Sequence, residues 1–93
     1  MRHDWLSIVH LERSGSEEVR VAFAIGRAAG SAVARNRIRR RIWHVLHDLR
    51  RDHPQAVPVG EYLIMIRDRV PPLSAAELRH VVTAALQRLE ASR

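Results

Sequence analysis

Cysteine and lysine are both absent from this 93-residue chain. Without cysteine there is no disulfide framework and no thiolate metal site, so a hydrophobic core has to hold the domain together. Aromatic residues are scarce, at 4% of the chain. No apolar run approaches the roughly 20 residues that cross a bilayer, and the N-terminus does not resemble a secretory signal. These absences predict a single cytoplasmic domain over residues 1–93 with no membrane partner.

Positive charge, by contrast, is abundant and concentrated in one segment. Sixteen arginines and ten acidic residues give a net charge of +6. Residues 27–51 hold eight of the arginines and one acid, a net charge of +7, and the rest of the chain has a net charge of −1. A nearly neutral body with one cationic element is typical of a polyanion-binding protein. Arginine pairs bidentately with phosphate and stacks on bases, which favours RNA as the polyanion.

Hydrophobic periodicity predicts the first two elements as strands. Residues 5–11 and 19–25 are rich in β-branched and large apolar side chains, and a turn-forming segment separates them. We expect the two strands to pair as an antiparallel hairpin. The second strand alternates, with alanines on one face and large apolar residues on the other: Val19, Val21, Phe23 and Ile25. The small face would let a helix or a ligand approach the sheet closely.

The remaining pattern predicts a long helix, a third strand and a second helix. Ser31 is a suitable N-cap, and apolar residues recur at helical spacing from Ala32 to about Asp52. At about 100° per residue, the face opposite the apolar stripe carries polar and basic residues, namely Asn36, Arg37, Arg40, Arg41, His44, His47 and Arg51. Prolines end this helix, residues 61–67 form the strand, and a Ser74–Glu77 capping box starts the second helix. The order is β-β-α-β-α.

Residues 27–41 resemble the signature of the bacterial ribonuclease P protein subunit. The segment reads Arg-Ala-Ala-Gly-Ser-Ala-Val-Ala-Arg-Asn-Arg-Ile-Arg-Arg-Arg. The family pattern is a basic residue, then Gly, Ala-Val, Arg-Asn-Arg, one apolar residue and two further basic residues. Phe23 and the strand that follows Gly60 match two other family features, so the resemblance covers residues 5 to 90.

The chain departs from the family pattern at three places. The family normally has a further helix, carrying a Phe and basic residues, before the first strand, and Trp5 already stands at the strand. A second basic residue is common where Ala28 stands. An arginine and an acid are common where Trp43 and His44 stand. These departures imply fewer phosphate contacts.

The resemblance implies both a fold and a function. The fold is α+β, a single α/β sandwich of the ribosomal protein S5 domain 2-like type, with a mixed sheet and a left-handed βαβ crossover. The function is that of the RNA-binding protein subunit of an endoribonuclease, whose partners are ribonuclease P RNA and precursor tRNA and which has no small-molecule substrate. The RNA subunit, which mainly holds the Mg²⁺, removes the 5′ leader from precursor tRNA. No catalytic residue and no metal site is therefore expected in the protein.

The predicted RNA-binding residues are Arg27, Arg35, Asn36, Arg37, Arg39, Arg40, Arg41 and Phe23. The arginines can neutralise phosphates, a kind of contact that carries little sequence information. Asn36 either holds the geometry of its neighbours or bonds a base edge or 2′-hydroxyl. Phe23 either stacks on an unpaired base of the leader or belongs to the core with the other large residues of its strand.

Other interpretations of the same features are possible. The chain is alternatively a generic ribosomal-protein-like RNA-binding module or a DNA-binding module, although a groove-reading helix usually has more amide and small side chains than this one. The long helix could alternatively lie on an anionic membrane surface, but its apolar stripe would then contact lipid, and the same stripe is needed to cover the sheet. The spacing of His44 and His47 suggests a metal site but offers no third ligand. Trp5 and Trp43 border apolar stripes, so we expect them to pack rather than stack on bases.

Overall fold

Three strands and two helices make up the fold in the computed structural model, which describes residues 5–12, 15 and 17–91. The bounds are Leu6–Leu11 (β1), Val19–Ile25 (β2), Ala32–Asp52 (α1), Gly60–Ile66 (β3) and Ala75–Ala91 (α2). Single turns of 3-10 helix cover Arg27–Ala29 and Pro54–Ala56. The predicted order β-β-α-β-α and the α+β class are confirmed. Both the strand β2 and the helix α1 have their predicted bounds.

The predicted β1–β2 hairpin is wrong, because β3 lies between the two strands. The sheet order is β1-β3-β2, with β3 antiparallel to β1 and parallel to β2. Alternate residues of β3, Tyr62, Ile64 and Ile66, are buried, whereas no residue of β2 is fully buried. The strand β3, which has more buried apolar residues than β2, therefore lies at the centre of the sheet. Because β2 and β3 are parallel neighbours joined through α1, the sheet is mixed, as the resemblance implied.

Both helices contribute to a core on one face of the sheet. The register aligns Ile8 of β1, Ile64 of β3 and Phe23 of β2 in one row across that face. Ile42 of α1 and Val82 of α2 are fully buried within the same cluster. Burying one aliphatic side chain of this size stabilises a fold by about 1.5–3 kcal/mol. A two-layer α/β sandwich results.

The ends of both helices follow the capping residues in the sequence. The Ser31 hydroxyl accepts a hydrogen bond from the Ala34 N–H at 3.1 Å, which fixes the start of α1. At its other end, Arg50 Nη1 donates to the Pro54 and Val57 carbonyls at 3.2 and 2.6 Å. Reciprocal bonds of 2.9 and 3.1 Å between Ser74 and Glu77 start α2. The predicted N-cap and capping box are thus confirmed.

The other face of the sheet is open within the described ranges. It carries exposed side chains from all three strands, including Val9, Leu11, Ala22 and Leu63. The small alanine face of β2 therefore has no helix against it in the part of the chain that is described. No helix among those same residues has the length and apolar character to span a membrane.

Candidate nucleic-acid interface

A tight connection places the start of α1 beside the end of β2. The Gly26 N–H donates to the Ile66 carbonyl at 3.0 Å, which holds the turn against the end of β3. After one 3-10 turn, Gly30 has a φ of 129°, a backbone conformation that L side chains rarely adopt. Gly26 and Gly30 therefore set where the arginine-rich helix begins.

A cleft of about 320 Å³ lies between β2 and the first turns of α1. The residues that line it are Phe23, Ile25, Ala32, Arg35, Asn36 and Arg39. Four of these are predicted RNA-binding residues, and the fold brings them together from two elements. Their chemistry combines an aromatic ring with two cationic groups and an amide. Such a cleft can take a flat, apolar ring that carries an anionic group, which is the chemistry of a nucleotide.

Arg35 has a hydrogen-bond donor that is buried in this region without a partner. The side chain is half-buried, and its Nε atom makes no hydrogen bond to any residue that the structure describes. A buried donor of this kind costs free energy unless an acceptor satisfies it. Guanidinium–phosphate hydrogen bonds are charge-assisted, so a phosphate is a suitable partner for Arg35 once the side chain moves to expose this atom.

Asn36 makes a specific contact with the next arginine on its own helix face. Arg39 Nη2 donates a hydrogen bond to Asn36 Oδ1, one helical turn away. Both residues line the cleft, so this bond orients one of its guanidinium groups. Because this bond joins two side chains, both interpretations of Asn36, support of the neighbouring backbone and contact with RNA, stay predictions.

Arg37 and Arg40 extend the cationic surface outward from the cleft. Both side chains are exposed, and Arg27 is exposed on the preceding 3-10 turn. The sequence has no acidic residue between Arg27 and His47. On α1, the described ion pairs lie near its C-terminal end, where Arg51 pairs with Asp48 and Asp52 at 3.4 and 3.2 Å. The positive potential is therefore strongest over the first half of the helix.

Arg41 differs from the other predicted RNA-binding arginines. It is half-buried, and its Nη2 donates to the Leu73 carbonyl at 2.7 Å, so it ties α1 to the segment before α2. Arg50 has a comparable structural contact at the end of the helix. Helical periodicity could not show either contact, because the acceptors are carbonyls outside α1. The basic segment thus divides into exposed arginines and arginines that already bind carbonyl groups.

The aromatic residues are placed partly as predicted. Phe23 shares the helix-facing side of β2 with its large neighbours and is half-buried, yet it also lines the cleft. Trp5 is buried, with 7% exposure, which confirms its prediction as a packing residue. That prediction is wrong for Trp43, which is 46% exposed on α1. The arginines one helical turn before it, Arg39 and Arg40, are the signal in the sequence that indicates an exposed indole.

Comparisons with known proteins agree with the resemblance in the sequence. A family model described as Ribonuclease P matches residues 1–90. The chain is 38% identical over 90 residues to a ribonuclease P protein component of Nocardioides sp., an alignment that covers 90% of this chain and 72% of the relative. It is 34% identical to the component of Lactiplantibacillus plantarum (83% and 65% covered) and 35% identical to that of Ligilactobacillus salivarius (81% and 67% covered). The chain thus spans about two thirds of the length of these relatives, and it belongs to the ribonuclease P protein component family.

Proposed function

We propose that this protein binds ribonuclease P RNA and the 5′ leader of precursor tRNA, and so assists the RNA-catalysed removal of the leader. The observation that carries the proposal is the cleft between β2 and α1, with Phe23 on one side and Arg35 and Arg39 on the other. Family membership supports ribonuclease P RNA as the partner. The exposed arginines Arg37 and Arg40 supply contacts to phosphates around the cleft.

The protein's contribution is electrostatic and positional. Bringing two polyanions together is unfavourable, and a cationic surface that contacts both lowers this repulsion. Phosphate contacts fix the orientation of the RNA but do not depend on base identity. An aromatic ring at the cleft adds stacking that also tolerates any base. Together, these two kinds of contact suit a leader whose sequence varies from one precursor tRNA to another.

Mg²⁺ enters this proposal through the RNA subunit, which we expect to hold it. Over the described residues, no three His, Cys, Asp or Glu side chains are grouped so that they could share a metal ion. Magnesium supplies the activated water and stabilises the leaving oxygen in phosphodiester hydrolysis. The protein's own residues bind and orient the substrate RNA, and we assign none of them to the chemical step.

Cleavage of a precursor tRNA tests the proposal directly. A bacterial ribonuclease P RNA is incubated with the substrate at limiting Mg²⁺, with and without this protein, and the 5′ ends of the products are mapped. We expect the protein to restore cleavage at the mature 5′ end. The control is the Arg37→Ala, Arg40→Ala variant, which should need more Mg²⁺ or more protein for the same rate.

The alternative is a generic RNA-binding or DNA-binding module. It predicts tight binding to RNA or duplex DNA without any stimulation of cleavage. Competition between duplex DNA and ribonuclease P RNA for binding to the protein separates a DNA-binding function from the proposed one. A sequence-specific preference for duplex DNA at physiological salt would contradict our proposal.

A further inference from the structure

Trp43 is exposed on α1, although its indole is a large apolar group. Nearly half of its surface is accessible, whereas the buried residues of α1 are Ile38, Ile42, Leu46 and Leu49. An exposed indole forgoes part of the stabilisation that full burial of a large apolar side chain would give. The position tolerates polar groups, since neighbouring His44 and His47 are exposed on the same helix.

The surroundings of Trp43 are cationic. At about 100° per residue, its nearest neighbours on the helix surface include Arg39 and Arg40. Asp48, the nearest acid in sequence, projects about 140° away around the helix and pairs with Arg51. An exposed indole therefore lies one helical turn after two arginines, on the same helix that lines the cleft.

We propose that Trp43 is a second RNA-contact site, on which one unpaired nucleobase stacks while the exposed Arg40 binds an adjacent phosphate. This inference rests on the proposed function and adds a residue that the family signature does not include. Indole offers the largest π surface among the side chains, and base–aromatic stacking tolerates every base. Arginines beside an exposed indole fit a nucleic-acid strand and disfavour an apolar protein partner.

Tryptophan fluorescence provides a direct test, because the chain contains two tryptophans with different exposure. In a Trp5→Phe variant, all indole emission comes from Trp43. We expect a short single-stranded oligouridylate to quench this emission and to protect it from acrylamide. Inorganic polyphosphate binds the arginines but cannot stack, so it should leave the emission nearly unchanged. Equal quenching by polyphosphate would overturn the stacking proposal.

If the Trp5→Phe substitution disrupts the core, the fluorescence measurement can be made on the wild-type protein. Acrylamide reaches an exposed indole and not one with 7% exposure, so the accessible fraction of the emission reports on Trp43. RNA binding should remove that accessible fraction. A fraction that stays accessible in the RNA complex would count against stacking.

Affinity measurements with substituted proteins form the second arm. Trp43→Ala should weaken binding of single-stranded RNA by about 5- to 150-fold, the range that one stacked base supplies. Trp43→Phe keeps a ring and should retain most of the affinity. Val33→Ala is the matched control, because Val33 is an exposed apolar residue of α1 without a π surface, and its affinity should match the wild type.

The outcomes separate the two proposals. If the wild-type protein binds RNA but Trp43→Ala binds equally well, the stacking inference fails and the proposed function stands. If the wild-type protein binds no RNA, the proposed function fails and the inference fails with it. Equal protection of Trp43 by duplex and single-stranded RNA would contradict the requirement for an unpaired base.

Discussion

Replacing Arg37 and Arg40 together with alanine removes two exposed guanidinium groups from the outward face of α1. Neither side chain has a described ion pair, so each is available to neutralise a phosphate. We expect the double variant to bind RNA more weakly and with a smaller dependence on salt. The measurement is the dissociation constant for ribonuclease P RNA over a series of salt concentrations, together with a thermal melt of the protein.

The size of the effect follows from counterion release. Each lost phosphate contact lowers the slope of log K against log salt by about 0.7 to 0.9, so two contacts lower it by about 1.4 to 1.8. At about 0.15 M salt, the same relation predicts a loss of affinity of about 15- to 30-fold, shrinking towards none near 1 M. Because both side chains are exposed, the free energy of unfolding should change by no more than about 0.5 kcal/mol.

A matched double variant isolates the role of position. Arg20→Ala with Arg51→Ala removes the same formal charge, but these arginines pair with Glu18 at 3.3 Å and with Asp48 at 3.4 Å. We expect a smaller loss of affinity and a slope close to that of the wild type. Equal effects in the two double variants would refute the reasoning, because binding would then depend on net charge alone. A large drop in melting temperature for the Arg37, Arg40 variant would show that these side chains are structural.

Three further predictions concern the fold. Ile42→Ala should lower the free energy of unfolding by about 2–5 kcal/mol in urea titrations, because Ile42 is fully buried and its removal leaves a cavity. Gly60→Ala should also destabilise, by more than about 1 kcal/mol, since φ is 131° and the new Cβ would lie 2.6 Å from His10 Nε2; a neutral result in the same assay would contradict this. The hydrogen bond from the Ser74 N–H lowers the pKa of Glu77 in the folded protein. The ionised Glu77 carboxylate therefore stabilises the fold above its unfolded-state pKa, and this stabilisation is lost as the pH falls through its folded-state pKa. Wild type and Glu77→Gln should therefore converge in stability on acidification, and a constant difference across pH would contradict the assignment.

Local signals in the sequence predicted the elements well because their causes are local. The hydroxyl of Ser31 and the Ser74–Glu77 pair act within one helical turn, so the starts of both helices follow from a few residues. The alternation in β2 likewise depends on its own side chains. Strand pairing is different, because the hairpin rule uses only the connection between β1 and β2. It contains no information about β3, which lies between them.

The cleft shows the same division between local and distant causes. The Arg-Asn-Arg pattern predicted its basic residues, and Phe23 was predicted because it matches a feature of the family. Only the fold shows that Phe23, Arg35 and Arg39 line one cleft, because β2 and α1 meet there through the turn at Gly26. Their shared position therefore depends on how the connection folds against β3.

Composition and spacing by themselves determined the order β-β-α-β-α and one basic helix with no acid before Asp48, since charge and periodicity are properties of the sequence. The tertiary structure decided which arginines remain available, because the Leu73 carbonyl binds Arg41 from 32 residues away. It also decided that Trp5 is buried and Trp43 exposed, although both border apolar stripes. Burial depends on which elements pack together, and those contacts join residues that are far apart along the chain.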